Sequence, residues 1–181
     1  FNFNLFRRDV STTIDFDNSL PISLIRKRGL KKAKKNNLYV EEISYFKEFW
    51  ILLTQLLKTR YKVKPVHSLK EIKLLHKRFP KNIKCIVAKK DNKIIAGTII
   101  FIQGNVVHTQ YLMNSPIGKN FGGLDIVIFY LIEKYSKTMK YLDFGISNEN
   151  LGKKLNSGLI SQKEGFGGRA FTHDFYCLNL T

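Results

Sequence analysis

Apolar and polar positions along the chain change period several times, and each change predicts an element. Between Ser44 and Arg60, Phe46, Phe49, Trp50, Leu53, Leu56 and Leu57 recur at three- and four-residue spacing, which predicts a helix with one face against a sheet or another helix. A short strand, Leu38-Tyr39-Val40, precedes it. Ser68-Leu69-Lys70-Glu71 has the spacing of a capping box, and Ile72, Leu75 and Phe79 carry a second helical stripe as far as Pro80. Three strand-like runs follow, Ile83 to Ala88, Ile94 to Ile102 and Val106 to Met113. The turn pairs Asp91-Asn92 and Gly104-Asn105 between them predict an antiparallel meander. The apolar run Leu124 to Tyr135 predicts a buried helix, opened by Gly118-Lys119-Asn120-Phe121-Gly122-Gly123. Tyr141 to Gly145 predicts a short buried strand, Gly152 to Lys163 a helix and Ala170 to Leu180 a last strand.

The first 36 residues are less regular. Residues 1 to 21 alternate weakly and end in the turn cluster Asp17-Asn18-Ser19, as a strand belonging to something larger would. Arg26 to Lys35 is a dense basic run in which Leu24, Ile25, Leu30 and Ala33 offer only a thin apolar stripe.

Composition narrows the class. The 181 residues are 44% hydrophobic, enough for one sizeable core. No apolar run approaches the ~20 residues of a spanning helix and the start lacks the order of a signal peptide, so a cytoplasmic protein without a membrane span is expected. Cys85 and Cys177 lie singly in apolar strands and read as buried structural thiols, and no metal site is expected. The formal net charge of +17 suits a phosphate-rich partner, or else a lysine-rich surface that is simply solvated.

The tail carries the most specific pattern. Tyr141-Leu142-Asp143-Phe144-Gly145-Ile146-Ser147, followed by Gly158-Leu159-Ile160-Ser161-Gln162-Lys163-Glu164-Gly165-Phe166-Gly167, resembles the D-F-G and G-L-x-x-x-K-x-G-F-G pattern of Fem-type transferases and their GNAT-like relatives. The order of elements over residues 38 to 181 is similar to the GNAT acyltransferase fold, and Arg26 to Lys35 resembles the basic helix that joins two GNAT-like halves in that group. The resemblance implies an α+β fold with a mixed, mostly antiparallel central sheet flanked by helices. It implies a division into residues 1–36, a remnant strand and connector of a reduced first half, and residues 37–181, an acyltransferase domain. A second copy of the chain could then supply a complementary half as a homodimer.

It also implies an activity: transfer of an acyl group from acetyl-coenzyme A or another acyl-coenzyme A to an amine, on an amino sugar or peptidoglycan precursor of the cell envelope. Two other readings stand beside it. The donor could be an aminoacyl-tRNA, with RNA held by Arg26 to Lys35, or the chain could be a GNAT-like binding module without catalysis. Gly118, Lys119, Gly122 and Gly123, with Leu112 and Met113 at the end of the preceding strand, would hold the donor, since backbone amides near a helix N-terminus favour anions. A plain strand-to-helix turn would carry the same glycines.

Within Val106 to Met113, two-residue alternation places His108 and Gln110 on one face and Thr109 and Tyr111 on the other. An imidazole there suits a general base, or else a hydrogen bond to a strand neighbour. Lys163, by resemblance, would stabilise developing negative charge, and Glu164 would act as base or orient the amine; both could equally be a solvated helix end. His108, Lys163, Glu164 and Tyr111 are the catalytic candidates, and His67, Gln110, Asp143 and Phe166 the substrate-binding ones. Asp143 could pair with His108 or Lys163, and His173 with Asp174.

Overall fold

The computed structural model describes residues 3–178. Seven strands form one sheet in the order β2-β3-β4-β5-β6-β1-β9, from Asn4–Asp15 (β1), Tyr39–Ile43 (β2), Ile83–Lys90 (β3), Lys93–Gln103 (β4), Val106–Asn114 (β5), Tyr141–Ile146 (β6) and Arg169–Cys177 (β9). All neighbours run antiparallel except β5 and β6, which are parallel. Asn148–Glu149 (β7) and Lys154–Leu155 (β8) make a separate small hairpin. The mixed, mostly antiparallel sheet flanked by helices is the architecture expected from the tail pattern. The weakly alternating first strand, β1, is hydrogen-bonded between β6 and β9 of that same sheet.

Each face of the sheet has its own apolar cluster. On one, Gly123–Tyr135 (α5) lays Leu124, Val127, Ile128 and Leu131 against Ile14, Ile86, Ile100, Val107, Leu142 and Phe144. On the other, Lys47–Leu56 (α2) and Leu69–Arg78 (α3) bury Phe49, Trp50, Leu53 and Ile72 with Cys85, Val87, Ile99, Tyr111 and Met113. The capping box forms as read, with the Glu71 amide donating to Ser68 Oγ and the Ser68 amide to Glu71 Oε2. α2 begins three residues later than the periodicity suggests. It also widens at its end into a π-helical turn, Leu57–Tyr61, closed by Lys62 in the left-handed region at φ 59°.

The basic run is the helix Leu24–Lys35 (α1), capped by Ser23, and only Ala33 of its thin stripe is buried. Leu24 and Ile25 stand out in solvent. Ser115 as cap and Pro116 as first residue start a short helix, Pro116–Phe121 (α4), inside the stretch expected to be a turn. The helix expected from Gly152 begins at Ser157 instead and runs to Glu164 (α6), because β7 and β8 occupy the residues before its Asn156 cap. Cys177 is exposed rather than buried, as β9 is an edge strand open on both faces, whereas Cys85 is buried and its thiol is held well above the usual range by that burial. Leu180, the expected end of the last strand, lies outside the described residues.

Candidate functional site

The parallel strands β5 and β6 stay together for three residue pairs only, Val106 with Tyr141, Val107 with Leu142 and His108 with Asp143. Beyond that β5 continues along β4, while β6 stays with β1, its partner throughout; the Ser147 amide donates to the Val10 carbonyl at 2.7 Å and the Val10 amide donates to the Asn148 side chain. Gly145 is the pivot. It sits at φ +70°, and a Cβ there would lie 3.3 Å from Cε1 of His108, so the ring rests against the glycine.

A bulge in β5 alters the side-chain pattern at this point. Thr109 faces Ile100 and Tyr111 faces Ile99, so Gln110 is the extra residue and its backbone drops out of the ladder. Val107 therefore packs toward α5, while Tyr111 and Met113 pack toward α2 and α3. Strict alternation, which separated His108 from Tyr111, does not hold across the bulge; the register shift turns both to the face of α2 and α3.

His108 Nδ1 lies 2.6 Å from Asp143 Oδ2, with the His108 side chain 33% exposed and that of Asp143 20%. The other carboxylate oxygen accepts from Thr13 Oγ1 at 2.9 Å and from the Gly145 amide at 3.1 Å. Burial pushes this carboxyl up, but the hydrogen bonds from His108, Gly145 and Thr13 and the His108 charge outweigh it and hold the group below the usual carboxylate range. An ionised Asp143 can only accept, so Nδ1 of His108 donates to it and Nε2 is the ring nitrogen that Asp143 leaves unengaged. That is the arrangement of a base held in one tautomer and orientation by a carboxylate.

Lys163 is buried on α6, and its ammonium donates to the carbonyls of Gly145 at 2.9 Å and Ile146 at 2.7 Å and to Ser147 Oγ at 2.9 Å. All three of its donors are used. The lysine therefore pins the bent end of β6, and burial, opposed by the Asp143 charge, pulls its pKa down to about 8. Glu164, one position on, is exposed in a groove with Ser23, Arg26 and Gln162 and shares no hydrogen bond with His108, Asp143 or Lys163 among the described residues. Phe166 is a core residue, stacked on Phe144 at 5.9 Å with the Arg26 guanidinium 5.3 Å over its ring.

Tyr111 joins the site to the α2–α3 side. Its hydroxyl accepts from the His67 amide at 3.1 Å and pairs with His67 Nδ1 at 2.7 Å, while its ring lies edge-on to Trp50. His67 lines a cavity of about 910 Å³ between α2 and α3. A smaller cavity of about 360 Å³ opens on the other side of Asp143, lined by Ser11, Thr13, Tyr141, Phe171 and His173. His173 does not pair with Asp174: its Nε2 meets Ser11 Oγ at 2.9 Å, and Asp174 is taken by Arg8. Thr13 and Ser147, which fix Asp143 and Lys163, escaped the sequence reading. For Thr13 the signal was the polar residues beside buried Ile14 in a strand that proves to lie inside the sheet; Ser147 follows the end of β6.

The glycine stretch is closed. The Gly118 amide donates to Ser115 Oγ, the Lys119 amide to the Ser115 carbonyl and the Gly122 amide to the Gly118 carbonyl, so α4 consumes donors that a phosphate would use. Gly122, at φ +76°, has its missing Cβ position filled by the Gly29 backbone of α1. The Asp125 carboxylate occupies the first turn of α5, 2.9 Å from the Arg26 guanidinium. Leu112 and Met113 pack into the two apolar clusters, and Lys119 is exposed. Three of the amides expected to receive a coenzyme diphosphate are thus already engaged within α4.

The sequence matches no protein-family model and no curated protein. Solved structures do match it in fold. The chain is similar to the C-terminal domain of a protein assigned as lysylphosphatidylglycerol synthetase from Agrobacterium fabrum (TM-score 0.71, 11% identity, 96% of this chain and 60% of that one). It is similar to FemX (TM-score 0.69, 11% identity, 91% and 61%) and to L-PGS from Bacillus licheniformis (TM-score 0.61, 16% identity, 97% and 60%). At such identities the likeness is one of fold, and the chain spans about three fifths of the length of these structures.

Proposed function

We propose that the chain transfers an acyl or aminoacyl group onto an amine where β5 and β6 part, with His108 as the base and Asp143 as its positioning carboxylate. The observation that carries this reading is the His108–Asp143 pair where the strands part, held by Thr13 and Gly145, with a cavity lined in part by Asp143 beside it. In the proposed step the amine nitrogen attacks the acyl carbonyl carbon, and His108 Nε2 takes the amine proton. The bond from the carbonyl carbon to the donor oxygen or sulfur then breaks, and the proton passes to the leaving group. The Gln110 amide, freed from the ladder by the bulge, is suited to receive the carbonyl oxygen. Lys163 acts through β6 by holding the strand bent.

An aminoacyl-tRNA donor is favoured over acyl-coenzyme A by two observations. The glycine turn is filled, and α1 exposes six cations, Lys27, Arg28, Lys31, Lys32, Lys34 and Lys35, with no acidic residue among them. FemX and L-PGS as fold neighbours support an acceptor of the cell envelope. Mass spectrometry of a soluble peptidoglycan-precursor peptide with a free amine, incubated with labelled aminoacyl-tRNA or with acetyl-coenzyme A, tests the reading. Product from the ester donor alone is expected. Product from the thioester alone would return the donor to coenzyme A, and RNA binding without product from either would favour a non-catalytic module.

A further inference from the structure

We propose that the cavity between α2 and α3 is a binding site for a phosphate-bearing ligand with an apolar body. Its volume, about 910 Å³, lies within the range of ligand pockets, ~300–1,000 Å³. Lys58, Lys62 and Lys64 line it, and among the described residues none of the three has an ion-pair partner. The one acid on its wall, Glu71, is already engaged by the Ser68 amide of the capping box. Trp50, Val63, Pro65 and Val66 supply an apolar lining, and Thr54 Oγ1 is buried there without a hydrogen-bond partner.

The backbone works to gather these lysines. α2 does not stop at Leu56 but widens into the π turn Leu57–Tyr61, and Lys62 closes that turn at φ 59° with its amide on the Leu57 carbonyl. A π turn is rare and most often marks a functional position, and a left-handed lysine costs stability that a loop chosen only for connection would avoid. A solvated row of lysines would spread along a helix face, whereas these three converge on one concavity.

At the inner end His67 is bonded to Tyr111, which shares a face with His108. Assigning the cavity to the acceptor rests on the transfer reading, but binding can be measured without any turnover. The chemistry it fits is a diphosphate or phosphodiester bound by cations at the rim, with the attached apolar or aromatic group against Trp50.

Trp50 is the one tryptophan of the chain, so its fluorescence reports occupancy directly. Wild-type protein is titrated with inorganic pyrophosphate, a uridine diphosphate sugar, and vesicles of phosphatidylglycerol or phosphatidylcholine. A saturable change is expected with a phosphate-bearing probe: response to the soluble diphosphates identifies a free ligand, and response to phosphatidylglycerol vesicles alone identifies a lipid headgroup. The variant Lys58→Ala/Lys62→Gly/Lys64→Ala should weaken it by ~10-fold or more. Lys31→Ala/Lys32→Ala/Lys35→Ala on α1 should leave it unchanged, and so should His108→Gln, which separates binding from the transfer step. The proposal is overturned if no probe gives a saturable change, or if both lysine triples weaken the response equally. Circular dichroism of the first triple guards against unfolding; should it unfold, Thr54→Val with Lys58→Gln must still weaken binding.

Discussion

Two stretches of this chain looked equally suited to hold a reacting group, the strand Val106 to Met113 and the glycines Gly118 to Gly123, yet they end in opposite states. At the parting of β5 and β6, polar atoms are held from behind: Asp143 is bonded by Thr13 and Gly145, and the His108 side chain keeps a third of its surface exposed. At the glycine stretch the amides of Gly118, Lys119 and Gly122 are spent within α4, and the space beside Gly122 is filled by the backbone of α1. Glycine permits close approach, but it does not say what approaches. Here it is a neighbouring helix.

Substitutions in the two stretches should therefore fail in different ways. The largest effect is expected on rate: His108→Gln should slow transfer by ~10²- to 10⁴-fold with only a small fall in melting temperature, and Asp143→Asn should slow it comparably by releasing the ring. Single-turnover kinetics beside a thermal melt check this, and a parallel loss of rate and stability would erase the contrast. Lys163→Met should cost about 2–4 kcal/mol in denaturant unfolding, because a buried Ser147 hydroxyl and two carbonyls at the bent end of β6 lose their donor. Gly122→Ala should cost about 1–3 kcal/mol through its positive φ and its contact with Gly29, without altering the response to any donor.

A smaller effect is expected in acid. Because the folded protein holds Asp143 below its ordinary range, the unfolded chain binds more protons between the two values, so the pair stabilises the fold above about pH 4 and loses that contribution as pH falls through the folded value. Asp143→Asn should flatten that part of an acid-unfolding curve. The smallest effect on stability belongs to α1: removing Lys31, Lys32 and Lys35 should shift unfolding by less than about 0.5 kcal/mol. The same change should lower RNA affinity and reduce its salt dependence, measured by filter binding.

The periodic elements were legible because one face of each had to be buried. The stripe from Phe46 to Leu57 and the capping box at Ser68 could only be read one way, and the turn pairs fixed the meander. What escaped was non-local. The bulge at Gln110 is a matter of register between β4 and β5, so alternation put Tyr111 on the wrong face relative to His108. Phe166 and Lys163 share one motif, yet the first packs in the core and the second holds a strand end, a division made by residues of β6 far away in sequence. The tail pattern offers Asp143 as a partner for either His108 or Lys163, and the structure pairs it with His108. Thr13, from the first strand, completes the set through a pairing no local signal carries.

The most direct measurement is single-turnover transfer from labelled aminoacyl-tRNA to a precursor peptide, run side by side for the wild type, His108→Gln and Gly122→Ala. Loss of transfer in the histidine variant, with the glycine variant less stable but still active while folded, is the predicted result. Equal transfer by wild type and His108→Gln would contradict it.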